Sequence, residues 1–380
     1  MTSAAGTEGK NMSVKTALST HRDPKACARE LKNAIGDFDS RFVTFFASSK
    51  YDPEALGLAL LKEFGSIPSL GCTTAGELGT RDRSDASVTL MAMDGDSIRS
   101  AEVELIGDLH REDATRRAIE SLASSRGTSA AQLSPSKYLG MVVHDGLSKA
   151  EEAVMERITS LTNVPFVGGS AGDDLAFRRT FVFVNFRPHT AASAVALLEP
   201  TRQYGILKTQ SFRVRDDIFE VTDVDEATRT VRSFNGRPAA KEFADRVGLP
   251  IDKLAENFRK YAVGFVTPEG EPYVRSAQRV LDGGLVFYCQ LKLGTRLNLL
   301  EAEDIVLQTR RDLAAKIESM GGCQAILEFQ CILRTLELDS QKQSGEYAKL
   351  FASIPTAAFS TYGESYVGHL NQTSTMLLFG

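Results

Sequence analysis

The 380-residue sequence has no surplus of basic residues and no apolar run long enough to cross a membrane. Lysine and arginine total 44, against 49 aspartates and glutamates, and the net charge is −5. This balance disfavours a nucleic-acid partner. The apolar runs fall far short of the roughly 20 residues that a membrane helix requires. We therefore expect neither nucleic-acid binding nor membrane insertion.

Cysteine is scarce as well, and the start of the chain lacks an apolar segment. The five cysteines are an odd number and include no CxxC pair, so neither a disulfide framework nor a zinc site is indicated. Residues 1–13 are mostly small and polar, which is unlike a secretory signal and typical of a disordered tail. These features favour a cytoplasmic protein.

The motifs of common nucleotide-binding and hydrolytic enzymes are also missing. The sequence has no GxxxxGK[ST], no GxGxxG opening a helix, no GxSxG and no HExxH. The five histidines include no closely spaced pair of metal ligands. His144, in HDG, is interpreted as part of a strand-ending turn, and Cys331 as a buried, inert thiol. An enzyme is therefore not expected.

One pattern is present three times. It covers residues 67–77 (IPSLGCTTAGE), 164–173 (VPFVGGSAGD) and 354–364 (IPTAAFSTYGE). Each copy begins with a β-branched residue and a proline, and each ends in Ser/Thr-x-Gly-acid. The flanking segments repeat in the order helix, strand, helix, strand, turn, strand. This order predicts an α/β fold with mixed sheets flanked by helices.

The Ser/Thr-x-Gly-acid endings have two interpretations. As turns, they use a glycine for positive φ and a hydroxyl for a nearby backbone N–H, which predicts that Gly76, Gly172 and Gly363 lie in equivalent turns. As the ends of strands in an α/β sheet, they are also where ligands usually bind. The turn is the first interpretation, and Gly172 with Asp173 is the candidate ligand-binding rim.

A different region, from about Tyr204 to Asn298, separates the second and third copies. It is predicted to contain strands and tight turns, with one helix after Asn235-Gly236. We place a boundary between two closely packed domains near Phe234, which gives domains 14–233 and 234–380.

The last 21 residues crowd polar groups around a lone histidine just before an apolar run. In a strand, His369, Asn371 and Thr373 share one face, and Tyr362 and Glu364 lie close to them in the sequence. These side chains either form a hydrogen-bonded rim that fixes the last strand or contact a ligand. Both interpretations stay open on the local sequence.

In these segments the sequence resembles the FIST sensory proteins, which have paired FIST N and FIST C domains. The shared stretches are GCTTAGE (71–77), VGGSAGDD (167–174), FNGRPAAKEFADRVG (234–248), FQCILR (329–334) and STYGESYVGHLNQT (360–373). The resemblance covers nearly the whole chain from about Val14. It implies an intracellular ligand-binding sensor that signals through a separate protein.

Within that family, FQCILR and the terminal motif are most similar to the NosP branch of nitric-oxide-sensing haem proteins. There a FIST C histidine is understood to ligate the haem iron, and the matching histidine here is His369. The resemblance implies non-covalent haem b, since no CxxCH is present. It also implies regulation of a sensor histidine kinase or of a diguanylate cyclase or phosphodiesterase, and it is compatible with a homo-oligomer.

Two other hypotheses remain. A metal-free sensor of a small metabolite, such as an amino acid, would hold the polar groups of its ligand with Glu364, Asn371 and the glycine-rich turns. An enzyme would require catalysis by Cys331 or by the neighbourhood of His369 and Glu364, and this is the least favoured hypothesis.

Overall fold

The computed structural model describes residues 13–78, 83–84 and 86–380. The tail predicted for residues 1–13 lies outside the described residues, apart from Ser13. Among the helices in the described part of the chain, none has the length and apolar character needed to cross a membrane.

The three copies of the pattern fold as three similar units, each of which adds a leading strand and a hairpin to the predicted order. The first unit contains β1 (Val14–Ser19), α1 (Pro24–Ile35), β2 (Ser40–Ser48), α2 (Pro53–Phe64), β3 (Ser69–Thr74), β4 (Glu77–Leu78), β5 (Arg83–Ser84) and β6 (Val88–Asp94). The second contains β7 (Ile98–Gly107), α3 (Glu112–Ser124), a 3-10 helix (Ala130–Gln132), β8 (Leu139–His144), α4 (Glu151–Leu161), β9 (Phe166–Ser170), β10 (Val182–Val184), β11 (Arg187–His189) and β12 (Ala192–Pro200).

The third unit starts with β13 (Tyr204–Gln210) and is then interrupted by an insertion. The insertion contains β14 (Phe212–Asp225), β15 (Thr230–Phe234), β16 (Arg237–Pro238), α5 (Ala239–Val247), a 3-10 helix (Ile251–Lys253), α6 (Leu254–Asn257), β17 (Tyr261–Val266), β18 (Pro272–Arg275), β19 (Ala277–Leu281), β20 (Gly284–Phe287) and β21 (Arg296–Ala302). The unit resumes with α7 (Ile305–Met320), β22 (Ala325–Cys331), α8 (Ile332–Ser340), α9 (Ser344–Lys349), β23 (Thr356–Thr361), β24 (Glu364–Tyr366), β25 (His369–Leu370) and β26 (Thr373–Phe379). The differing region therefore begins at Phe212, because β13 pairs with β26 of the third unit.

The pairing of strands is the same in all three units. The two central strands are parallel (β2 with β3, β8 with β9, β22 with β23), and the last strand of each unit runs antiparallel to the first of these two. The registers agree as well, since the central pairs end on Ser48 with Thr74, His144 with Ser170, and Cys331 with Thr361. The predicted α/β class with mixed sheets flanked by helices is confirmed.

Each hairpin completes the sheet of a different unit. Strand β10 of the second unit pairs with β3 of the first, β24 of the third pairs with β9 of the second, and β4 of the first pairs with β23 of the third. The resulting six-stranded sheets have the orders β1-β6-β2-β3-β10-β11, β25-β24-β9-β8-β12-β7 and β13-β26-β22-β23-β4-β5. Since the exchange is cyclic, each unit depends on another for a complete sheet.

The three sheets enclose one shared core, and helices cover their outer faces. Phe46, Met141 and Phe329, from the three different sheets, belong to that core. Neighbouring residues such as Phe45 and Val142 point the other way and pack beneath the helices. This alternation follows from the two-residue period of a strand, and burial of both faces explains the nearly continuous apolar runs.

The three Ser/Thr-x-Gly turns meet at one end of the shared core. The Ser170 N–H donates to the Gly363 carbonyl at 2.8 Å, and a side chain on Gly172 would begin 2.8 Å from the backbone nitrogen of Ala75. Of the three glycines, only Gly76 has a positive φ, 119°. The prediction of positive φ is therefore wrong at Gly172 and Gly363, where glycine leaves room for close packing.

The insertion forms an eight-stranded antiparallel sheet with a core of its own. Its order is β18-β17-β21-β14-β15-β20-β19, with β16 paired to β15. Phe219, Phe234 and Phe243 pack together inside it. The predicted helix after Asn235-Gly236 is α5. Phe234 lies within this sheet, and the domain boundary near it stays a prediction.

Candidate functional site

A cavity of about 210 Å³ lies between the second and third units and the inserted sheet. It lies at the ends of β8 and β9, where the repeated pattern predicts a ligand. Most of its wall is apolar or aromatic: Leu147, Leu175, Phe177, Val286, Phe287, Tyr288, Ile332, Leu333, Leu336 and Tyr362. The polar and remaining wall residues are Gly146, Lys149, Glu151, Thr228, Arg229, Gln278, Arg279, His369 and Asn371.

Three of the predicted site residues, Tyr362, His369 and Asn371, line this cavity. Glu364 and Thr373 lie outside its lining and bind each other. The Glu364 carboxyl group accepts from the Thr373 N–H at 3.1 Å and from its hydroxyl at 2.5 Å. The terminal motif is therefore divided between a cavity wall and an internal hydrogen-bonded pair.

The predicted common strand face of His369, Asn371 and Thr373 is wrong. His369 is in β25, which pairs with β24 in the sheet of the second unit. Thr373 begins β26, which belongs to the sheet of the third unit. Between them the chain turns at Gln372, whose φ is 50°. His369 and Asn371 nevertheless reach the same cavity, because this turn lies at its wall.

His369 is a buried, neutral imidazole. Burial lowers its pKa to about 4, so the ring is uncharged at neutral pH. The side chain is 4% exposed, and its Nδ1 has no hydrogen-bond partner among the described residues. Asn371 is 1% exposed, and its Oδ1 also has no hydrogen-bond partner among the described residues. Two polar side chains of the wall thus retain hydrogen-bonding capacity.

His144 lies near His369 but outside the cavity lining. It ends β8, and its Nδ1 is 2.8 Å from the Ser193 hydroxyl. Burial, together with the smaller effect of a positive charge on His369, lowers its pKa to about 3. The next residue, Asp145, accepts from the Leu147 N–H at 3.0 Å. The strand-ending turn predicted here is confirmed.

Cys331 has the surroundings of an inert thiol. It is 1% exposed, and burial raises its pKa well above the ordinary value, which leaves little of the reactive thiolate. It ends β22, directly before α8, and does not line the cavity. Within the described ranges, no group of three or more His, Cys, Asp or Glu side chains is arranged to hold a metal ion.

Asp173 holds the wall residue Tyr362 in position by a hydrogen bond. Its carboxylate accepts the Tyr362 hydroxyl at 2.5 Å and the N–H groups of Phe177, Arg178 and Arg179 at 2.6–2.9 Å. These bonds fix the loop that follows β9. Gly172 lies in the packed turn described above, and neither Gly172 nor Asp173 lines the cavity.

Several wall residues were not among the predicted site residues, above all Arg229. Arg229 is in the turn between β14 and β15, and its guanidinium lies 3.2 Å from Glu151 and 2.6 Å from Glu152 at the start of α4. It also donates to the Tyr288 carbonyl at 2.6 Å. This largely buried ion pair joins the inserted sheet to the second unit. A lone arginine in an acidic turn, with an acidic helix start elsewhere, is the only sequence signal for it.

Two family models match the chain. The FIST N domain matches residues 41–237, and the FIST C domain matches residues 239–366. The chain therefore belongs to the FIST family, whose domains are generally sensor domains in signal transduction and generally not enzymes. No curated protein matches the chain. Both matched segments contribute to the cavity wall, while His369 and Asn371 lie just beyond the second segment.

Proposed function

We propose that this chain is a cytoplasmic sensor that binds a small molecule in the cavity lined by Tyr362, His369 and Asn371. Two buried atoms carry the proposal: His369 Nδ1 and Asn371 Oδ1 have no hydrogen-bond partner among the described residues. A buried polar group without a partner costs about 1–3 kcal/mol, and a ligand with suitable polar groups removes that cost. The apolar and aromatic part of the wall is typical of small-molecule sites.

The cavity volume favours a ligand as small as an amino acid. Sites for drug-sized ligands usually measure about 300–1,000 Å³, whereas a cavity of about 150 Å³ holds one benzene molecule. The cavity here, about 210 Å³, lies between these sizes and closer to the smaller one. A metal-free metabolite therefore fits the space without a change in the wall.

Ligand binding involves separate parts of the protein at once. Leu147 of the second unit, Leu333 of the third and Val286 of the inserted sheet face the same space. A ligand that contacts all three favours one arrangement of these parts over others. We propose that a separate sensor histidine kinase, or a diguanylate cyclase or phosphodiesterase, responds to that arrangement. The signalling role of FIST domains supports this proposal.

Haem and nitric oxide sensing, as in the NosP branch, form a second proposal that His369 supports. A neutral imidazole is a suitable axial ligand for haem iron, and the lowered pKa keeps His369 neutral. Haem would supply the iron to which nitric oxide coordinates. The cavity is too small for haem, however. A tetrapyrrole has four linked rings, whereas a volume of about 210 Å³ accommodates little more than one ring. The donor fits haem, and the volume does not.

Thermal unfolding of the full chain tests the first proposal. The compounds are the twenty standard amino acids, simple carboxylates including 4-hydroxybenzoate, and hemin. A ligand at 100 times its Kd stabilises the folded state by about 2.7 kcal/mol. Leu333→Trp fills the cavity and should abolish the shift, whereas Leu58→Trp, at a position 67% exposed on α2, should preserve it.

His369→Ala provides a second variant with a smaller change of volume, and it should weaken binding without filling the cavity. The proposal fails if no compound stabilises the wild type, or if both cavity variants respond as the wild type does.

A separate experiment tests the signalling step. The rate of a candidate kinase or cyclase is measured in the presence of the chain, with and without its ligand. Equal rates in both cases would remove that enzyme as a partner.

A Soret titration with hemin tests the haem proposal. If His369 is the axial ligand, His369→Ala should lose the wild-type spectrum, while its circular dichroism stays unchanged. The same Soret band in both proteins would exclude His369 as the ligand. A wild-type chain that takes up no hemin would refute the haem proposal altogether.

A further inference from the structure

An exposed aromatic pair stands at the edge of the cavity. Phe177 is 53% exposed, and its ring stacks on Tyr362, with 5.0 Å between centroids and 24° between planes. The Tyr362 hydroxyl donates to Asp173 at 2.5 Å and accepts from the Leu175 N–H at 2.8 Å. The pair is therefore held in place, and it offers a flat apolar wall of the kind that stacks on planar ligands.

The size of the cavity limits the ligand to about one ring. A cavity of about 150 Å³ accommodates benzene, and the volume here is about 210 Å³. The difference leaves space for one or two small substituents on that ring. Phe287 and Tyr288 add two more aromatic side chains to the wall, which again favours a planar group over a branched aliphatic one.

Two cations at the cavity have no described carboxylate partner; one of them, Arg279, donates to the Gln278 side-chain oxygen at 2.7 Å. Lys149 and Arg279 are exposed wall residues, and neither forms an ion pair with another described residue. Arg229, by contrast, is paired with both Glu151 and Glu152. The wall thus has an uncompensated positive charge that suits an anion.

We infer that the ligand is a single-ring aromatic carboxylate with a hydroxyl group; this inference rests on the proposed function of the cavity. The ring stacks against Tyr362, and the carboxylate lies toward Lys149 and Arg279. The hydroxyl group bonds to His369 and Asn371, because a hydroxyl both donates and accepts. It can therefore satisfy the Asn371 oxygen and either form of the neutral imidazole.

Titration calorimetry with four matched probes tests this inference. The reference probe is 4-hydroxybenzoate. Three analogues each lack one feature: 4-hydroxycyclohexanecarboxylate lacks the planar ring, 4-hydroxybenzamide lacks the charge, and benzoate lacks the hydroxyl group. The reference probe should bind tightest, and each analogue should bind about tenfold more weakly or worse, which corresponds to about 1.4 kcal/mol per lost feature.

Protein variants then assign each feature to its residues. Lys149→Met with Arg279→Met should abolish the preference for the carboxylate over the amide and leave amide binding unchanged. Arg232→Met with Lys241→Met removes two exposed cations elsewhere and should keep that preference. His369→Ala should abolish the preference for 4-hydroxybenzoate over benzoate, which a purely structural role of the histidine would not do.

The outcomes separate this inference from the proposed function. If the cyclohexane analogue or the amide binds as tightly as the reference probe, the ligand class is wrong while the sensor proposal stands. The same conclusion follows if an amino acid binds in the cavity and none of the four probes does. If neither the probes nor the wider set of compounds binds, both proposals fail.

Discussion

Gly363 and His369 are in direct contact, and the histidine ring occupies the space in which a side chain on Gly363 would begin. Gly363 is outside the left-handed region of φ, so this contact, rather than backbone conformation, requires glycine here. The two residues belong to the same terminal motif, Gly363 directly before β24 and His369 after it in the chain. The motif thus holds its own histidine at the cavity.

Gly363→Ala should therefore displace the His369 ring. Overpacking of this kind typically costs about 1–3 kcal/mol, and the displaced ring should also weaken binding of any cavity ligand. Gly368→Ala is the matched control, because no atom lies within 4 Å of an added Cβ there. Urea unfolding of both variants measures the free energies. Equal decreases in the free energy of unfolding for the two variants would show that the contact with His369 has no energetic consequence.

Arg229 should stabilise the interface between the inserted sheet and the second unit. Its side chain, 12% exposed, pairs with Glu151 and Glu152, so Arg229→Met leaves two carboxyl groups, 4% and 17% exposed, without their partner. Removing one member of a buried ion pair typically costs about 3–5 kcal/mol. Arg232→Met, with a side chain 56% exposed, should cost no more than about 1 kcal/mol. Similar unfolding midpoints for the two variants would contradict this role.

Glu364 makes the stability of the protein depend on pH. Burial raises its pKa to about 8, whereas the carboxyl group titrates near 4.3 in the unfolded chain. Between these values the folded state retains a proton that the unfolded state has lost. Its contribution to stability is therefore complete below pH 4.3 and is lost as the pH rises through about 8.

Glu364→Gln should reduce that loss, because the amide does not titrate and its oxygen can still accept from Thr373. The melting temperature is measured at pH 5.5 and 8.5, and the variant should show the smaller decrease. A pKa change of one corresponds to about 1.4 kcal/mol, so the effect is on the order of a few kcal/mol. Glu318→Gln, at an exposed position on α7, is the control. A decrease as large in Glu364→Gln as in the wild type would refute the assignment.

The repeated unit could be predicted from the sequence because its signals are local. Pro68, Pro165 and Pro355 each precede a short buried strand, and the flanking helices have their own boundaries. The exchange of hairpins could not be predicted in this way. Strands such as β24 and β4 have only two or three residues, and their partners are distant in sequence, as Glu364 and Gly169 are. Strands this short have no recognisable alternation of apolar and polar residues in the sequence.

The site, too, could be predicted only where its residues are recognisable in the local sequence. His369 and Asn371 stand out in the sequence because polar residues are unusual beside an apolar run. Their placement on one strand failed at Gln372, because a single positive φ moves the chain from one sheet to another. Leu333 and Arg229 come from segments that only the fold brings together. Each is ordinary in its local sequence, one in a helix and one in a turn.

Asp173 should control the loop that supports the Phe177–Tyr362 pair. Its buried carboxylate accepts three backbone N–H groups, including that of Phe177 at 2.9 Å, and the Tyr362 hydroxyl at 2.5 Å. Hydrogen bonds to a charged group contribute about 1.5–3 kcal/mol each. Asp173→Ala should therefore make local opening of residues 174–179 at least about tenfold more frequent.

Hydrogen–deuterium exchange measures this opening directly. Amides of residues 174–179 should exchange faster in Asp173→Ala, while those of the central strand β8 should be unchanged, because the lost bonds lie in the loop. Asp216→Ala, at an exposed position in β14, should exchange as the wild type does. Binding of 4-hydroxybenzoate should weaken in parallel, since the aromatic wall loses its anchor. Unchanged exchange in the loop would mean that packing of Phe177 on Tyr362, rather than the Asp173 carboxylate, holds it in place.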